Sequence, residues 1–189
     1  MARKRKTRGH QNTVRIIGGD WRGRRLDFPA NRPVRPTPDR VRETLFNWLA
    51  TKLPGVRCLD LFAGTGVLGF EALSRGAEET WFVEWDPLLG RALDKHAKLL
   101  NAKANIVTGD VKDFLATPSP DRFDIIFLDP PYEMPLIPVV DMLPAWLQSS
   151  ALIYIERPSI EGLSSVGGLG KLWRESRAGQ ISYGLISVT

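Results

Sequence analysis

The residue run with the most specific chemistry is Asp129-Pro130-Pro131-Tyr132, which follows the apolar, strand-length stretch Phe123–Leu128. Two consecutive prolines stiffen the backbone and remove two N–H donors, leaving carbonyl oxygens to face outward. Asp129 adds a side-chain acceptor and Tyr132 a flat ring. An acceptor pair beside a ring can hold a planar base and take hydrogen bonds from its exocyclic amine. That amine is a poor nucleophile because its lone pair is delocalised into the base. Acceptors on its two hydrogens turn the lone pair toward an electrophile, so the chemistry indicated is methylation of a base amino group. The same residue types also serve as a plain turn after a buried strand.

A second set lies upstream. Asp60-Leu61-Phe62-Ala63-Gly64-Thr65-Gly66-Val67-Leu68-Gly69 closes a predicted strand and opens a predicted helix. Glycines there let the backbone approach a ligand closely. Glu84 ends the next predicted strand, where an acid binds ribose hydroxyls. Gly109-Asp110 follows the third, where an aspartate can meet an adenine amine. The glycine spacing also fits a nicotinamide dinucleotide. Asp60 favours a ligand with a methionine-like amino group, since a pyrophosphate gains nothing from an acid. No Gly-Lys-Ser/Thr follows the loop, which excludes a P-loop.

The elements that must position these residues alternate. A polar, basic stretch over 1–12 precedes two short apolar runs, Val14–Ile17 and Arg25–Phe28, separated by glycines, which predict a β-hairpin. Trp21 among Arg22, Arg24 and Arg25 suits either RNA stacking or the hairpin's own core. Thr37 is the expected N-cap of a helix running to about Lys52, with Pro38 in its first turn. Strands are then expected at 56–62, 80–84, 104–107, 123–128 and 151–156, with helices at 67–74, 87–101, 111–115 and 136–146. Two closing strands are expected at 171–177 and 180–188. Repeated βαβ units imply an α/β fold, a mostly parallel sheet with helices on both faces and a mixed far edge.

At 189 residues and 43% hydrophobic, one globular domain is expected. The one cysteine, Cys58, falls in a predicted core strand, which argues against a disulfide scaffold and fits a reducing cytoplasm. No apolar run reaches the length of a membrane span, and no secretory signal is expected. His10 and His96 are far apart in sequence and no metal is called for. Charge is uneven: residues 1–42 hold 13 Lys and Arg against 3 Asp and Glu, the remainder 13 against 18. A basic front on a mildly acidic body reads as a polyanion-binding arm on an enzyme-like core. Arg15, Arg22, Arg24, Arg35 and Arg40, with Thr37, are the candidate RNA contacts.

Together these residues resemble the class I S-adenosylmethionine-dependent methyltransferases. The stretch Arg35-Pro36-Thr37-Pro38-Asp39-Arg40-Val41-Arg42-Glu43-Thr44-Leu45-Phe46-Asn47-Trp48-Leu49, with Asp60–Gly69, Phe82-Val83-Glu84 and Asp129–Tyr132, resembles the RsmD-like family of bacterial 16S ribosomal RNA guanine-N2 methyltransferases. The resemblance covers residues 13–189 and implies a Rossmann-like seven-stranded sheet over 37–189 with a hairpin extension over 13–36; the basic arm over 1–12, read from its charge, is not matched by it. The resemblance also implies an enzyme acting on the small subunit or an assembly intermediate; a monomer is expected from the size, and a cytoplasmic location from the cysteine usage. S-adenosylmethionine would be held by Asp60, Phe62, Ala63, Gly64, Thr65, Gly66, Glu84, Trp85, Asp110 and Val111, leaving as S-adenosylhomocysteine. Asp129 and the Pro130 carbonyl would orient the amine, within a motif completed by Pro131, and Tyr132 would stack on the base. Trp85 departs from the family, which often has a basic residue before the following Asp86. Competing readings are a DNA or RNA adenine-N6 methyltransferase and a non-catalytic RNA-binding assembly factor.

Overall fold

A computed structural model describes residues 11–32, 34–117, 121–163 and 168–188. The predicted basic arm lies outside these residues except for its last two. The elements are β1 (Gln11–Arg15), β2 (Arg25–Pro29), α1 (Asp39–Leu49), β3 (Arg57–Asp60), α2 (Val67–Ser74), β4 (Glu79–Glu84) and α3 (Pro87–Leu100). They continue with β5 (Ala104–Thr108), α4 (Val111–Ala116), β6 (Phe123–Leu128), α5 (Ile137–Val140), a 3-10 turn (Leu143–Trp146), β7 (Leu147–Pro158), β8 (Gly170–Ala178) and β9 (Ile181–Val188).

Seven strands form one sheet in the order β5-β4-β3-β6-β7-β9-β8. The first five are parallel, β9 runs antiparallel to β7, and β8 antiparallel to β9. Chain order reverses between β3 and β6, and α/β sheets bind ligands in the crevice beyond the carboxyl ends of such strands. Asp60, Glu84 and Asp129 all stand at that edge. No described helix is long and apolar enough to cross a membrane.

One face of the sheet packs against α1, α2 and α3 and the other against α4, α5 and the 3-10 turn. The hairpin β1–β2 belongs to the first face: Ile16 and Leu26 are buried in the same cluster as Leu45, Phe70 and Phe127. It is fastened by polar contacts at both ends. Ser74 of α2 takes the Trp21 N–H on its hydroxyl at 2.9 Å and gives its proton to the Gly18 carbonyl at 2.6 Å. His96 of α3 lies 2.9 Å from the Asp27 carbonyl. Trp21 is half-buried against this core, which favours the packing alternative over an open stacking ring.

The helices follow their apolar spacing. On α1, Val41, Leu45, Phe46 and Leu49 are buried. Its N-cap is Pro38, one residue later than expected, without a side-chain cap. Thr37 is buried, and its carbonyl accepts from Arg42 Nε at 3.0 Å. Asp39 supplies the negative charge that a first helical turn favours. The single helix expected over 136–146 is instead two short pieces. Proline 144 has no N–H to give, and its ring would strike the Val140 carbonyl in a continuous helix. Accordingly α5 ends at Val140 and the chain restarts as the 3-10 turn.

Arg42 and Glu71 form a fully buried ion pair at 3.3 Å. Glu71 Oε2 also accepts from the Ile17 backbone N–H at 2.8 Å, and Oε1 from Arg75 Nε at 2.8 Å. Arg42 Nη1 donates to the Arg15 carbonyl at 2.9 Å and Nη2 to Asp39. One carboxylate and one guanidinium thereby tie β1, α1 and α2 together beneath the glycine loop.

Candidate active site

The β3–α2 loop turns through positive backbone angles, with φ +52° at Gly64 and +75° at Gly66. A Cβ on Gly66 would come 2.3 Å from Leu93 Cδ2, so glycine is required for packing as well as conformation. Gly69, inside α2, is required for packing alone, since a Cβ there would meet the Phe82 ring at 2.2 Å. The helix thus lies against β4 and its N-terminus faces the crevice.

Two carboxylates flank the loop. Asp60 is buried, and its Oδ2 accepts from the Gly69 N–H at 3.1 Å. Burial, then the charge of Glu84, pushes its pKa up to about 7, against the lowering effect of that N–H. Glu84 accepts from the Gly64 N–H at 2.7 Å and from the Asp86 N–H at 2.8 Å. Burial raises it above the usual carboxylate range while these N–H groups oppose the rise. Two desolvated acids side by side suit a ligand with a cationic end and a diol. S-adenosylmethionine offers both, and the donor set fits it.

Phe62 is half-buried, and Ala63 and Thr65 are buried in the loop. Trp85 is 71% exposed at the end of β4. Asp110 is exposed and caps α4 by accepting from the Lys112 N–H at 2.7 Å. Val111 is buried in the second core. A cleft of about 470 Å³ runs beside Asp110, walled by Trp81, Val107, Phe114 and Trp146.

At the end of β6, Asp129 is half-buried. Desolvation first, then Glu156 and Asp60, hold its carboxyl well above the usual range, while a hydrogen bond from the Thr37 side chain and the charge of Arg157 pull it down. The Tyr132 ring is 45% exposed. The turn reading is also correct: the Pro131 carbonyl accepts from the Met134 N–H at 2.9 Å. The Tyr132 carbonyl accepts from Arg157 Nη2 at 3.3 Å, and Arg157 grips Glu161 at 2.6 Å.

Sequence reading passed over Glu156 and Arg157. Leu128 pairs with Ile155 in the parallel register, so Asp129 and Glu156 are neighbours across β6 and β7. The local signal is only an acid after an apolar run, as at Asp129; that the two are neighbours is set by strand order and register. Of the candidate RNA contacts, Arg22, Arg24 and Arg40 are exposed. Arg15 is exposed but paired with Asp39 at 2.8 Å. Arg35 is exposed, and its charge acts on Tyr132 and Glu156. Thr37 points into the site toward Asp129. Among the described residues no group of His, Cys, Asp and Glu is arranged to hold a metal.

The family model for conserved hypothetical protein 95 matches residues 14–187. The ribosomal RNA small subunit methyltransferase D of Escherichia coli strain K12 is 44% identical over 91% of this chain and 88% of its own. A solved structure of a candidate methyltransferase of Escherichia coli, yhhF, superposes with a TM-score of 0.86 at 42% identity, covering 94% of this chain and 98% of that one. A Thermus thermophilus 16S rRNA N2 G1207 methyltransferase, solved with AdoMet and guanosine, has a TM-score of 0.72 at 21% identity, covering 95% of this chain and 50% of that one. The last likeness is one of fold, the class I methyltransferase fold.

Proposed function

The chain belongs to the conserved hypothetical protein 95 family, and we propose that it transfers a methyl group from S-adenosylmethionine to the exocyclic N2 amine of a guanine in 16S ribosomal RNA of the small subunit. The observation that carries this reading is the placement of Asp129 and Tyr132 at the same sheet edge as the buried pair Asp60 and Glu84. The Escherichia coli relative, a ribosomal RNA small subunit methyltransferase, agrees with it.

When bound, the cofactor supplies an electrophilic methyl on a positively charged sulfur. Asp60 would hold its amino group, Glu84 its ribose hydroxyls and Asp110 the adenine amine. Asp129 and the Pro130 carbonyl accept from the guanine N2 hydrogens, turning the nitrogen lone pair toward the methyl. Tyr132 stacks on the base, which must be unpaired or flipped to enter. Bound there, the cofactor would give its methyl to N2 and leave as S-adenosylhomocysteine. The nitrogen becomes acidic only once transfer has begun, so Asp129 orients the amine and the released proton passes to solvent. Positioning supplies most of the rate, since orienting two reactants is worth about 7–11 kcal/mol. Exposed Arg22, Arg24 and Arg40 meet RNA phosphates, and Arg35 stands closest to the base.

Nucleoside mapping of 16S rRNA from cells with and without this protein tests the reading. Loss of one N2-methylguanosine is the expected result. An unchanged modification map would overturn it.

A further inference from the structure

The tetrapeptide Asp129–Tyr132 explains how an amine is held and activated, but not why guanine is chosen over another amino-bearing base. Adenine and guanine both present an exocyclic amine to such acceptors. They differ at the neighbouring ring nitrogen. Guanine has a proton on N1, a second donor beside the N2 amine, whereas adenine has a lone pair at N1 beside its N6 amine. A site that selects guanine therefore needs a second acceptor next to Asp129.

We infer that Glu156 is that acceptor, receiving the guanine N1–H while Asp129 receives the N2–H. This deepens, and rests on, the reading of the site as a guanine-N2 methyltransferase. The register of β6 and β7 places the two residues side by side on one face, at a strand spacing of about 4.8 Å. Glu156 is 4% exposed. The Tyr154 hydroxyl donates to Oε2 at 2.9 Å and fixes the carboxylate. Among the described residues, Oε1 accepts no hydrogen bond and no cation lies within 4 Å of either oxygen. Arg35 and Arg157 act on the pair Glu156 and Asp129 from longer range.

A buried carboxylate left without a close cation is costly, and a second one beside it makes matters worse. The arrangement is relieved by a ligand that brings two adjacent donors, as guanine does. A base with a lone pair at that position faces a carboxylate with no proton between them and is repelled. A site built around a substrate N–H rejects the analogue lacking it far more strongly than a shape-selective pocket does.

The test uses small subunits reconstituted from 16S rRNA carrying either guanine or 2-aminopurine at the guanine the enzyme methylates. 2-Aminopurine keeps the 2-amine but has a lone pair at N1. The wild-type enzyme should prefer guanine by at least about 100-fold in kcat/KM. Glu156→Gln offers an amide N–H to that lone pair. It should lower the guanine rate by about 100-fold and shrink the preference to less than about 10-fold. S-adenosylmethionine affinity should stay the same. Comparable wild-type rates on the two bases would overturn the inference without any variant. So would a Glu156→Gln enzyme that loses rate equally on both, the mark of a residue that only props Tyr154. Failure of the wild type on the guanine particles would instead strike the proposed function.

Discussion

Asp60 offers the sharpest test of how the cofactor pocket is built, because its cost to the empty protein can be worked out. Burial pushes its pKa in the fold up to about 7 from the ordinary value of 3.8. A carboxyl raised in this way stays protonated in the fold while the unfolded chain releases its proton. Its contribution to stability is intact below the unfolded pKa and is lost as pH rises through the folded one. Between about pH 4 and pH 7 the loss is about 1.4 kcal/mol per pH unit, levelling off above at a total of about 4 kcal/mol. Asp60→Asn keeps the shape and an oxygen for the Gly69 N–H but cannot ionise. In cofactor-free protein, urea melts at pH 5, 6, 7 and 8 should show the variant gaining on wild type across this range. It should be the more stable protein at pH 8. Glu84, Asp129 and Glu156 are also raised and are present in both proteins, so the difference reads Asp60 together with its charge coupling to Glu84 and Asp129. The gain should reverse in binding: losing a charged hydrogen-bond acceptor should weaken S-adenosylmethionine by about 10- to 100-fold. A variant less stable than wild type at pH 8, or a gap that ignores pH, would refute the assignment.

Other substitutions probe the remaining parts. Asp129→Ala should lower kcat by about 100- to 1000-fold while leaving S-adenosylmethionine affinity unchanged in calorimetry, and unaltered turnover would remove Asp129 from the mechanism. Glu71→Ala leaves Arg42 with only the half-exposed Asp39 as counter-ion and strips Arg75 and the Ile17 N–H of their carboxylate, and should cost about 3–5 kcal/mol in denaturant melts; a loss under about 1 kcal/mol would show that this buried network does not hold the hairpin. The double variant Arg22→Ala and Arg24→Ala should weaken RNA binding and flatten the plot of log affinity against log salt by about two units. An unchanged slope would mean that these arginines face solvent in the complex.

Much of the sheet was legible because its signals are local. The strand ending at Asp60, the glycines that follow and Glu84 at the end of the next strand lie within one βαβ unit, where spacing and turn chemistry coincide. The break between α5 and the 3-10 turn was harder to read, since apolar periodicity over 136–146 outweighed a proline whose effect depends on continuing the helix. Glu156 was missed for a different reason. Its place beside Asp129 is a matter of strand order and register between residues 27 positions apart, and neither is written in the local pattern. Arg42 and Glu71 were hidden because charged residues are ordinarily solvated, and only the docking of the hairpin buries them. Thr37 belongs with these: a residue expected to cap a helix or touch RNA faces Asp129 instead.

Transfer of labelled methyl from S-adenosylmethionine to small ribosomal subunits, purified from cells lacking this protein, tests the central claim most directly when the labelled nucleoside is identified. N2-methylguanosine is the expected product, with transfer slowed about 100- to 1000-fold in Asp129→Ala. N6-methyladenosine would keep the amine-orienting pocket and contradict the guanine assignment, and no transfer by an enzyme that binds the cofactor tightly would contradict the reaction itself.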